Sequence, residues 1–372
     1  MNTTKSSNPV RLIVFFLTAL LLVCTFGFTA DGWHMGNSVD SSGKDDASND
    51  IPQDTNNDNN QSEDTPADKE PDVYVPSFIN RLTGLEASEE VASGHHYAFV
   101  LDGGLPFYGI SSADIFCQIP TEGGSNKYIA FIHEDEQLWK IGSIAKTRGY
   151  VSNVAKFFGG ICISNGNEDE ISYNQCDIST SHLDLSLNSK YHYTEFQSRV
   201  YTNSDLLKLG FSDNKTSPDI GKNTLPYSFI GYGSDPIIYE NPATNVKITE
   251  STTNTTEFIY SGEHGKYLIC ESGLPLIDSM NGSQVSFTNC FVLFADSVIY
   301  DNSECSQMVM DTVGNGRGYY FCNGSYTEIK WSSSSDGSMC FTLSDGTQLT
   351  INRGNTFISF QKSSLTDKIS IE

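Results

Sequence analysis

The sequence has little positive charge. Its 372 residues carry 22 Lys and Arg against 46 Asp and Glu, which gives a formal net charge of −24 at pH 7. Because phosphate contacts need clustered Lys and Arg, this balance excludes a nucleic-acid binder that rests on a basic footprint. The chain is nevertheless 38% hydrophobic and 12% aromatic, and with this composition it cannot be disordered over its whole length.

Motifs that would identify a reaction are also missing. The chain contains no Gly-x-Ser-x-Gly elbow and no Walker-type Gly-Lys-Ser/Thr sequence. His133 and Glu134 begin like a zinc-protease helix, but Gln137 stands where the second histidine is needed. The closest two cysteines after residue 116 are 14 positions apart, so a Cys-x-x-Cys redox or zinc spacing is absent. We therefore predict neither a metal site nor a cofactor.

The first 30 residues have the order of an export signal or a membrane anchor. Lys5 and Arg11 precede Leu12–Ala30, which contains no charge, as the basic region of a signal peptide precedes its apolar region. The apolar part of this segment, Leu12–Phe28, has 17 residues and would span about 26 Å as a helix, against a hydrocarbon core of about 30 Å. Three fates stay open: lipidation at Cys24, as in a bacterial lipoprotein, an uncleaved anchor, or cleavage after Gly27 and secretion.

Residues 31–75 are predicted to be a disordered acidic linker. Twelve Asp and Glu stand here against two Lys, a net charge of −10, and residues 76–372 carry −16. The linker has almost no aliphatic residues and no helical or strand period, so it cannot bury enough surface to offset the entropy of ordering. We expect a tether that holds the folded head away from the membrane.

Residues 76–240 alternate strand and helix patterns, which predicts an α/β or α+β domain. Continuous apolar runs indicate buried strands, whereas helical spacing before Gly159, and an N-cap at Asn203 with a stop at Gly210, indicate two helices. The predicted strands are Tyr97–Leu101, Ala113–Ile119, Tyr128–Ile132 and Ile161–Ile163, and the predicted helices are Val151–Phe158 and Ser204–Leu209.

Residues 241–372 are punctuated as strand, turn and strand, which predicts an all-β antiparallel domain, as a sandwich or partly closed barrel. The strongest signal is a hairpin in which Asn323-Gly324 joins Gly318–Cys322 to Ser325–Trp331, because Asn-Gly suits the positive φ angles of a type I′ turn. Three further strands continue it as an antiparallel meander, namely Met339–Leu343, Gln348–Asn352 and Thr356–Gln361.

Several short motifs follow one another through both regions. They are Arg81-Leu82-Thr83-Gly84-Leu85, Ser112-Ala113-Asp114-Ile115, Glu122-Gly123-Gly124, Ile141-Gly142-Ser143-Ile144 with Arg148, Gly314–Phe321 with Asn323-Gly324, Ile329-Lys330-Trp331, and Gly354 with Thr356-Phe357-Ile358. On these motifs the chain resembles the YerB-like family of bacterial lipoproteins, a two-domain family, over about residues 78–372. No activity is established for that family, so the resemblance implies a cellular location and a domain architecture rather than a reaction.

The departures from the family pattern concern side chains that titrate or grip anions. Cys117 and Gln118 stand where the family usually has a tyrosine and a glutamate, and Lys127 and Ala145 stand where it has arginine. Ser164 replaces a histidine, and Gln197-Ser198-Arg199 replaces Pro-His-Asn. Such groups do acid–base work or bind anions. An anionic-ligand or catalytic site of the family would therefore be weakened in this chain.

The polar residues that remain define a candidate site. Asp102 or Glu122 is the candidate base, and Arg148 or Lys127 is the candidate for stabilising an anion. Arg148, Lys127 and Glu122, together with Tyr150, form the candidate ligand-binding set. The competing interpretation is that Glu122 and Arg148 form a structural ion pair and that Asp114 caps a turn.

Eight cysteines follow residue 116, and an even number outside the cytoplasm permits disulfides. We favour a Cys322–Cys340 pair, since both residues lie in the predicted meander, and place Cys117–Cys162 second. Scattered free thiols are the alternative. The remaining cysteines are Cys176, Cys270, Cys290 and Cys305.

Together these features predict an extracytoplasmic, membrane-tethered protein of the cell envelope. Its head would bind or scaffold an envelope protein or wall polymer without catalysis, and its N-terminal segment would contact the membrane. The alternative function is a hydrolase or transferase that acts on an envelope polymer. No nucleic-acid partner is expected.

Overall fold

The computed structural model describes residues 73–104, 106–168, 182–214, 224–301 and 306–372. The predicted anchor with Cys24, nearly all of the linker, and Cys176 and Cys305 lie outside the described residues. The described part contains three α-helices, α1 (Glu89–Ser93), α2 (Gly149–Phe157) and α3 (Ser204–Asn214). None of these helices is long and apolar enough to cross a membrane.

Most of the regular structure in the described residues is β. The first thirteen strands are β1 (His96–Asp102), β2 (Ile115–Pro120), β3 (Asn126–His133), β4 (Ile141–Gly142), β5 (Gly160–Ser164), β6 (His182–Asp184), β7 (Tyr193–Glu195), β8 (Arg199–Thr202), β9 (Ser228–Phe229), β10 (Asn241–Pro242), β11 (Asn245–Thr249), β12 (Thr255–Ser261) and β13 (Lys266–Glu271). The others are β14 (Leu274–Pro275), β15 (Ile277–Asp278), β16 (Ser283–Gln284), β17 (Ser286–Phe287), β18 (Asn289–Ala295), β19 (Ser297–Asp301), β20 (Ser306–Met310), β21 (Asn315–Cys322), β22 (Ser325–Ser333), β23 (Met339–Thr342), β24 (Thr350–Ile351), β25 (Thr356–Lys362) and β26 (Ile369–Ile371).

One mixed sheet of eleven strands forms the centre of the fold. Its order is β10-β22-β21-β18-β25-β2-β3-β1-β5-β6, with β23 beside β22. Strand β25 lies parallel to both neighbours, β2 and β18. The sheet therefore contains strands from both predicted domains, and β25 joins them. The predicted division between residues 240 and 241 stays a prediction, because two domains can share a sheet.

A second sheet covers one face of this large sheet. Its order is β14-β13-β12-β11-β26, with β17 beside β13. Phe258 of β12 places its ring 5.5 Å from Phe357 of β25 and 5.8 Å from Phe321 of β21. All three rings are fully buried, and burial of one such side chain contributes about 1.5–3 kcal/mol.

Helix α2 packs in a separate core with other residues of the large sheet. Val151, Val154 and Ala155 are buried at helical spacing, and Phe158, just after the helix, lies 5.5 Å from Phe131 of β3 between ring centres. The helix ends where the sequence predicts, because Gly159 has a φ of +63°, a conformation that glycine adopts without strain.

The structure confirms several local predictions and corrects others. The Asn323-Gly324 hairpin forms, with φ angles of +48° and +69°, and Asn203 caps α3 by accepting from the amide of Leu206 at 2.9 Å. Gly210 does not end α3, which continues to Asn214. Instead, an added Cβ there would stand 3.0 Å from Leu183, so Gly210 allows the helix to pack closely.

Two predictions about sheets need correction. The N-terminal region is mostly β around a mixed sheet, so the α/β class describes it only loosely. In the C-terminal region β21, β22 and β23 pair antiparallel as predicted, and an antiparallel bridge between Thr342 and Gln348 continues the meander into the next predicted segment. The meander ends before β25. Strand β24 pairs parallel with β9, and β25 inserts parallel between β2 and β18.

The predicted Cys322–Cys340 disulfide is absent, and both residues are free thiols. Cys322 lies opposite Ser325 of β22 and Cys340 lies opposite Ser332. Seven residues of strand separate these positions by about 23 Å, whereas bonded cysteines have Cα atoms within about 7 Å. Cys117 and Cys162 lie on β2 and β5, three strand spacings apart, which is about 14 Å and also too far.

Candidate functional site

The predicted site residues come together at one end of the large sheet. Asp102 ends β1 directly opposite Lys127 of β3. Glu122 lies in the short 3₁₀ turn between β2 and β3. Arg148 immediately precedes α2, and Tyr150 lies in its first turn.

Ion pairs, and a hydrogen bond to Tyr150, join these residues into what we call the ionic cluster: Asp102, Glu122, Lys127, Arg148, Tyr150 and Glu168. Arg148 donates two hydrogen bonds of 2.6 Å, one to each carboxylate oxygen of Glu122, and its Nε donates to Glu168 at 2.9 Å. The Nζ of Lys127 lies 3.2 Å from Glu168 and 3.4 Å from Asp102.

The two cations are buried, whereas the carboxylates lie partly at the surface. The side chains of Arg148 and Lys127 are only 5% and 7% exposed, against 32% for Glu122 and 58% for Asp102. Tyr150 lies 3.4 Å from Arg148 and donates to the carbonyl of Pro120 at 3.4 Å. The amide of Met308 donates to Glu122 at 3.1 Å, which ties the cluster to β20 in the C-terminal region.

The electrostatics of the ionic cluster oppose acid–base catalysis. Hydrogen bonds from Arg148 lower the pKa of Glu122 to about 2, although burial raises it. Burial also raises the pKa of Glu168, but Lys127 and Arg148 outweigh it and bring that pKa below the ordinary value. Burial raises the pKa of Tyr150 to about 12. A general base works best with a pKa near the operating pH, so Glu122 is a poor base.

The positive charges of the cluster are also fully matched by its own carboxylates. Three carboxylates face two cations, so the group as a whole is negative. Arg148 already contacts three polar side chains and Lys127 contacts two. A bound anion would have to displace a carboxylate from Arg148 or Lys127. The geometry therefore matches a structural ion-pair network better than an anion site.

Asp114 belongs to a different network. It accepts from the side-chain amide of Asn80 at 2.8 Å and lies 2.9 Å from Nε2 of His96. The turn cap is Asn80 itself, whose Oδ1 accepts from the amides of Leu82 and Thr83. His95 contacts Glu134 instead, also at 2.9 Å. Among the residues that the structure describes, no three His, Cys, Asp or Glu side chains are grouped so as to hold a metal ion.

A polar cavity of about 350 Å³ opens beside the ionic cluster. It lies between β2 and β3 of the large sheet and β12 and β13 of the second sheet. Its lining includes Gly103, Gln118, Gly123, Gly124, Ser125, Asn126, Tyr128, Glu250, Asn254, Thr255, Glu271 and Ser272. This size is within the range of small-molecule sites in proteins.

Behind the cavity lies a buried network of hydrogen bonds centred on Gln118. The amide of Gln118 donates to Thr256 at 2.9 Å and to Glu271 at 3.4 Å, and its carbonyl accepts from Ser359 at 2.8 Å. Tyr128 donates its hydroxyl to Glu271. Strands from both sheets and both regions of the chain thus build one wall of the cavity.

Glu250 and Glu271 are the two carboxylates in this wall. Thr256 donates to Glu250 at 2.9 Å and Gln361 donates to it at 3.0 Å. Burial and the nearby Glu250 raise the pKa of Glu271 to about 7, although the hydrogen bond from Tyr128 lowers it. Unlike Glu122, Glu271 therefore titrates near neutral pH.

Reasoning from the sequence missed Glu250 and Glu271. Neither residue stands in a motif, and both reach the cavity only through contacts between the two sheets. The one available signal was Gln118, which departs from the family pattern at a position that proves to lie at the centre of the network.

Comparison with known proteins identifies similarity over most of the described chain. The N-terminal domain of DUF3048, described as a protein of unknown function, matches residues 82–216, and the DUF3048 C-terminal domain matches residues 246–358. The crystal structure of the YerB protein from Bacillus subtilis is similar with a TM-score of 0.67 and 22% identity, covering 79% of this chain and 99% of that chain. No curated protein matches the sequence. At this identity the structural similarity establishes the fold alone.

Proposed function

The chain belongs to the DUF3048 family, and from this premise we propose that it is an extracytoplasmic protein of the cell envelope, tethered to the membrane by its first 30 residues. Lys5 and Arg11 before an uncharged segment, with Cys24 inside it, support export and tethering. The acidic segment that follows supports a spacer between the membrane and the folded head.

The role that we propose for the head is binding without chemical change. The observation that carries this proposal is the ionic cluster, in which the predicted catalytic residues already satisfy one another. Arg148 is held by two carboxylates, and Glu122 has a pKa of about 2. The polar cavity beside the cluster is the place where the head would receive part of an envelope component.

Mass spectrometry of the mature N-terminus tests the tether. A diacylglycerol group on Cys24 supports a lipoprotein, and an intact Met1 supports an uncleaved anchor. A mature chain that starts after Gly27 without lipid would contradict tethering.

Co-sedimentation with isolated cell envelopes tests the binding role. We expect the purified full-length protein to sediment with envelope material, and we expect mass spectrometry of the supernatant to show no released fragments. Release of fragments that grows with time would contradict a purely binding role.

A second function is favoured by one observation, the pKa of about 7 at Glu271 next to Tyr128. A carboxyl with that pKa can exchange a proton near neutral pH, as the acid or base of a hydrolase or transferase does. In the same assay, fragments that appear with the wild-type protein and disappear with Glu271→Gln would establish this alternative.

A further inference from the structure

Among the described residues, the carboxylates of Glu250 and Glu271 have no counter-charge. Within the described part of the chain, no Lys, Arg or His nitrogen lies within 4.0 Å of either group, although such pairs occur at the neighbouring ionic cluster. Each glutamate accepts hydrogen bonds through Oε1 alone. The two Oε2 atoms are thus available to a hydrogen-bond donor that enters the cavity.

Further acceptors in the same place lack donors. Asn126 lines the cavity, and its Oδ1 is buried without a hydrogen-bond partner. Gln361 is fully buried and donates to Glu250, but its own Oε1 has no partner either. Buried polar atoms without partners are rare in folded proteins. Both atoms are acceptors, as are the free carboxylate oxygens of Glu250 and Glu271.

Three of the larger donors in the lining already have acceptors, and the remaining side-chain donors are the neutral groups of Ser125, Asn126 and Ser272. Gln118 donates to Thr256 and Glu271, Tyr128 donates to Glu271, and the side-chain amide of Asn254 donates to the carbonyl of Gly124. No cationic side chain is among the lining residues. An anionic ligand would therefore find no counter-charge among the lining residues.

We infer that this cavity binds a ligand through a primary ammonium group, which would donate hydrogen bonds to the free oxygens of Glu250 and Glu271. The inference rests on the proposed binding function and names its ligand class. A bare metal ion fits less well, because no described group of three His, Cys, Asp or Glu side chains could hold one. A quaternary ammonium would lack the N–H donors, and Tyr128 is the one aromatic residue in the lining.

The charge of the whole head favours the same class of ligand. Residues 76–372 carry a net charge of −16, which raises the local concentration of cations and steers them to acidic clefts. The amine could belong to a wall peptide or polymer, or to a lipid headgroup. A lipid headgroup also brings a phosphate, which the acidic lining would repel.

The inference predicts a direction for the pH dependence of binding. The titratable side chains in the lining are Tyr128, Glu250 and Glu271, and burial with Glu250 raises the pKa of Glu271 to about 7. Glu271 is largely protonated at pH 6 and largely ionised at pH 8, whereas an alkyl ammonium stays charged at both. Affinity for the amine is therefore expected to rise by about tenfold between pH 6 and pH 8.

Calorimetric titration of the full-length protein in detergent tests the inference. The probe is N-acetyl-lysine methylamide. Two compounds serve as controls: N-acetyl-norleucine methylamide, whose side chain carries no ammonium group, and tetramethylammonium, a cation without N–H donors. Phosphoethanolamine represents the lipid headgroup. We expect binding of the lysine probe and much weaker binding of both controls, with phosphoethanolamine below the lysine probe.

Variants locate the binding at the cavity. Glu271→Gln and Glu250→Gln are each expected to weaken binding of the lysine probe by at least about tenfold. Glu263→Gln is the matched control, because Glu263 is an exposed residue between β12 and β13, and it should bind like the wild type. Thermal melts establish that each variant is folded.

Two outcomes would overturn the inference. The first concerns the wild-type protein alone: it binds the lysine and norleucine probes equally, or it does not bind the lysine probe. The other is unchanged binding in both carboxylate variants. If the protein sediments with envelopes but binds no amine, the ligand class fails and the proposed function stands. If it binds the amine but no envelope material, the proposed function fails.

Discussion

The ionic cluster and the polar cavity lie side by side, and a single turn contributes to both. Glu122 belongs to the cluster, whereas Gly123 and Gly124 line the cavity. In the cluster, Arg148 lowers the pKa of Glu122 to about 2; in the cavity, burial without a counter-charge raises the pKa of Glu271 to about 7. The same type of side chain is thus structural in one place and open to chemistry in the other. The presence or absence of a counter-charge, more than the type of residue, decides which of these two roles a glutamate has.

The largest expected effect comes from breaking the cluster. Arg148→Met leaves Glu122 without its buried cation and leaves Glu168 with Lys127 alone. It should lower the free energy of unfolding by about 3 kcal/mol, as for other buried ion pairs that lose one partner. Urea denaturation measures the change. Lys247→Met is the control, because the Lys247–Glu257 pair is near the surface and should contribute less than about 1 kcal/mol. Equal losses in the two variants would contradict a structural role for the cluster.

Replacing Glu271 in the cavity should raise stability at high pH, whereas replacing Arg148 in the cluster lowers it. The pKa of Glu271 is higher in the folded protein than its ordinary value of 4.5, so its proton is bound more tightly in the folded state. Its contribution to stability is present at low pH and is lost as the pH rises from about 4.5 to 7. Glu271→Gln should therefore be more stable than the wild type at pH 8, by about 2 kcal/mol, and similar at pH 5. Loss of stability at pH 8 would contradict the absence of a counter-charge.

A smaller effect is expected at acid pH for Glu122. Because Arg148 lowers its pKa from 4.5 to about 2, its contribution is present above pH 4.5 and is lost as the pH falls to about 2. Glu122→Gln should lower the free energy of unfolding at pH 7 by about 1 kcal/mol, a value reduced because the side chain is partly exposed to solvent. Unfolding curves at pH 7 and pH 3 should show the difference shrinking. A constant difference would mean that hydrogen bonding, rather than charge, stabilises the pair.

The comparison also shows how far sequence reasoning reaches. Asn323-Gly324 and the stop of α2 at Gly159 were predictable, because a few consecutive residues determine these turns. The members of the ionic cluster named from the sequence do meet, since the paired strands β1 and β3 place Asp102 opposite Lys127. Glu168 escaped notice because nothing in its sequence surroundings marks it.

The cavity could not be predicted for a physical reason. Its wall depends on β25 inserting parallel between β2 and β18, a pairing that brings Ser359 to Gln118 across 241 positions of the chain. Strands that pair in parallel are not joined by a tight turn, so no local sequence signal predicts which strands will pair. The same insertion made the prediction of an antiparallel meander wrong for its last strand, β25.

One measurement tests the account most directly, a titration of the glutamate side-chain carboxyls by carbon-13 NMR, with Glu122 and Glu271 assigned from their Gln variants. The account predicts that Glu122 titrates at about pH 2 and Glu271 at about pH 7 in the same sample. Titration of both groups near the ordinary value of 4.5 would contradict the claim that the cluster is satisfied and the cavity is not.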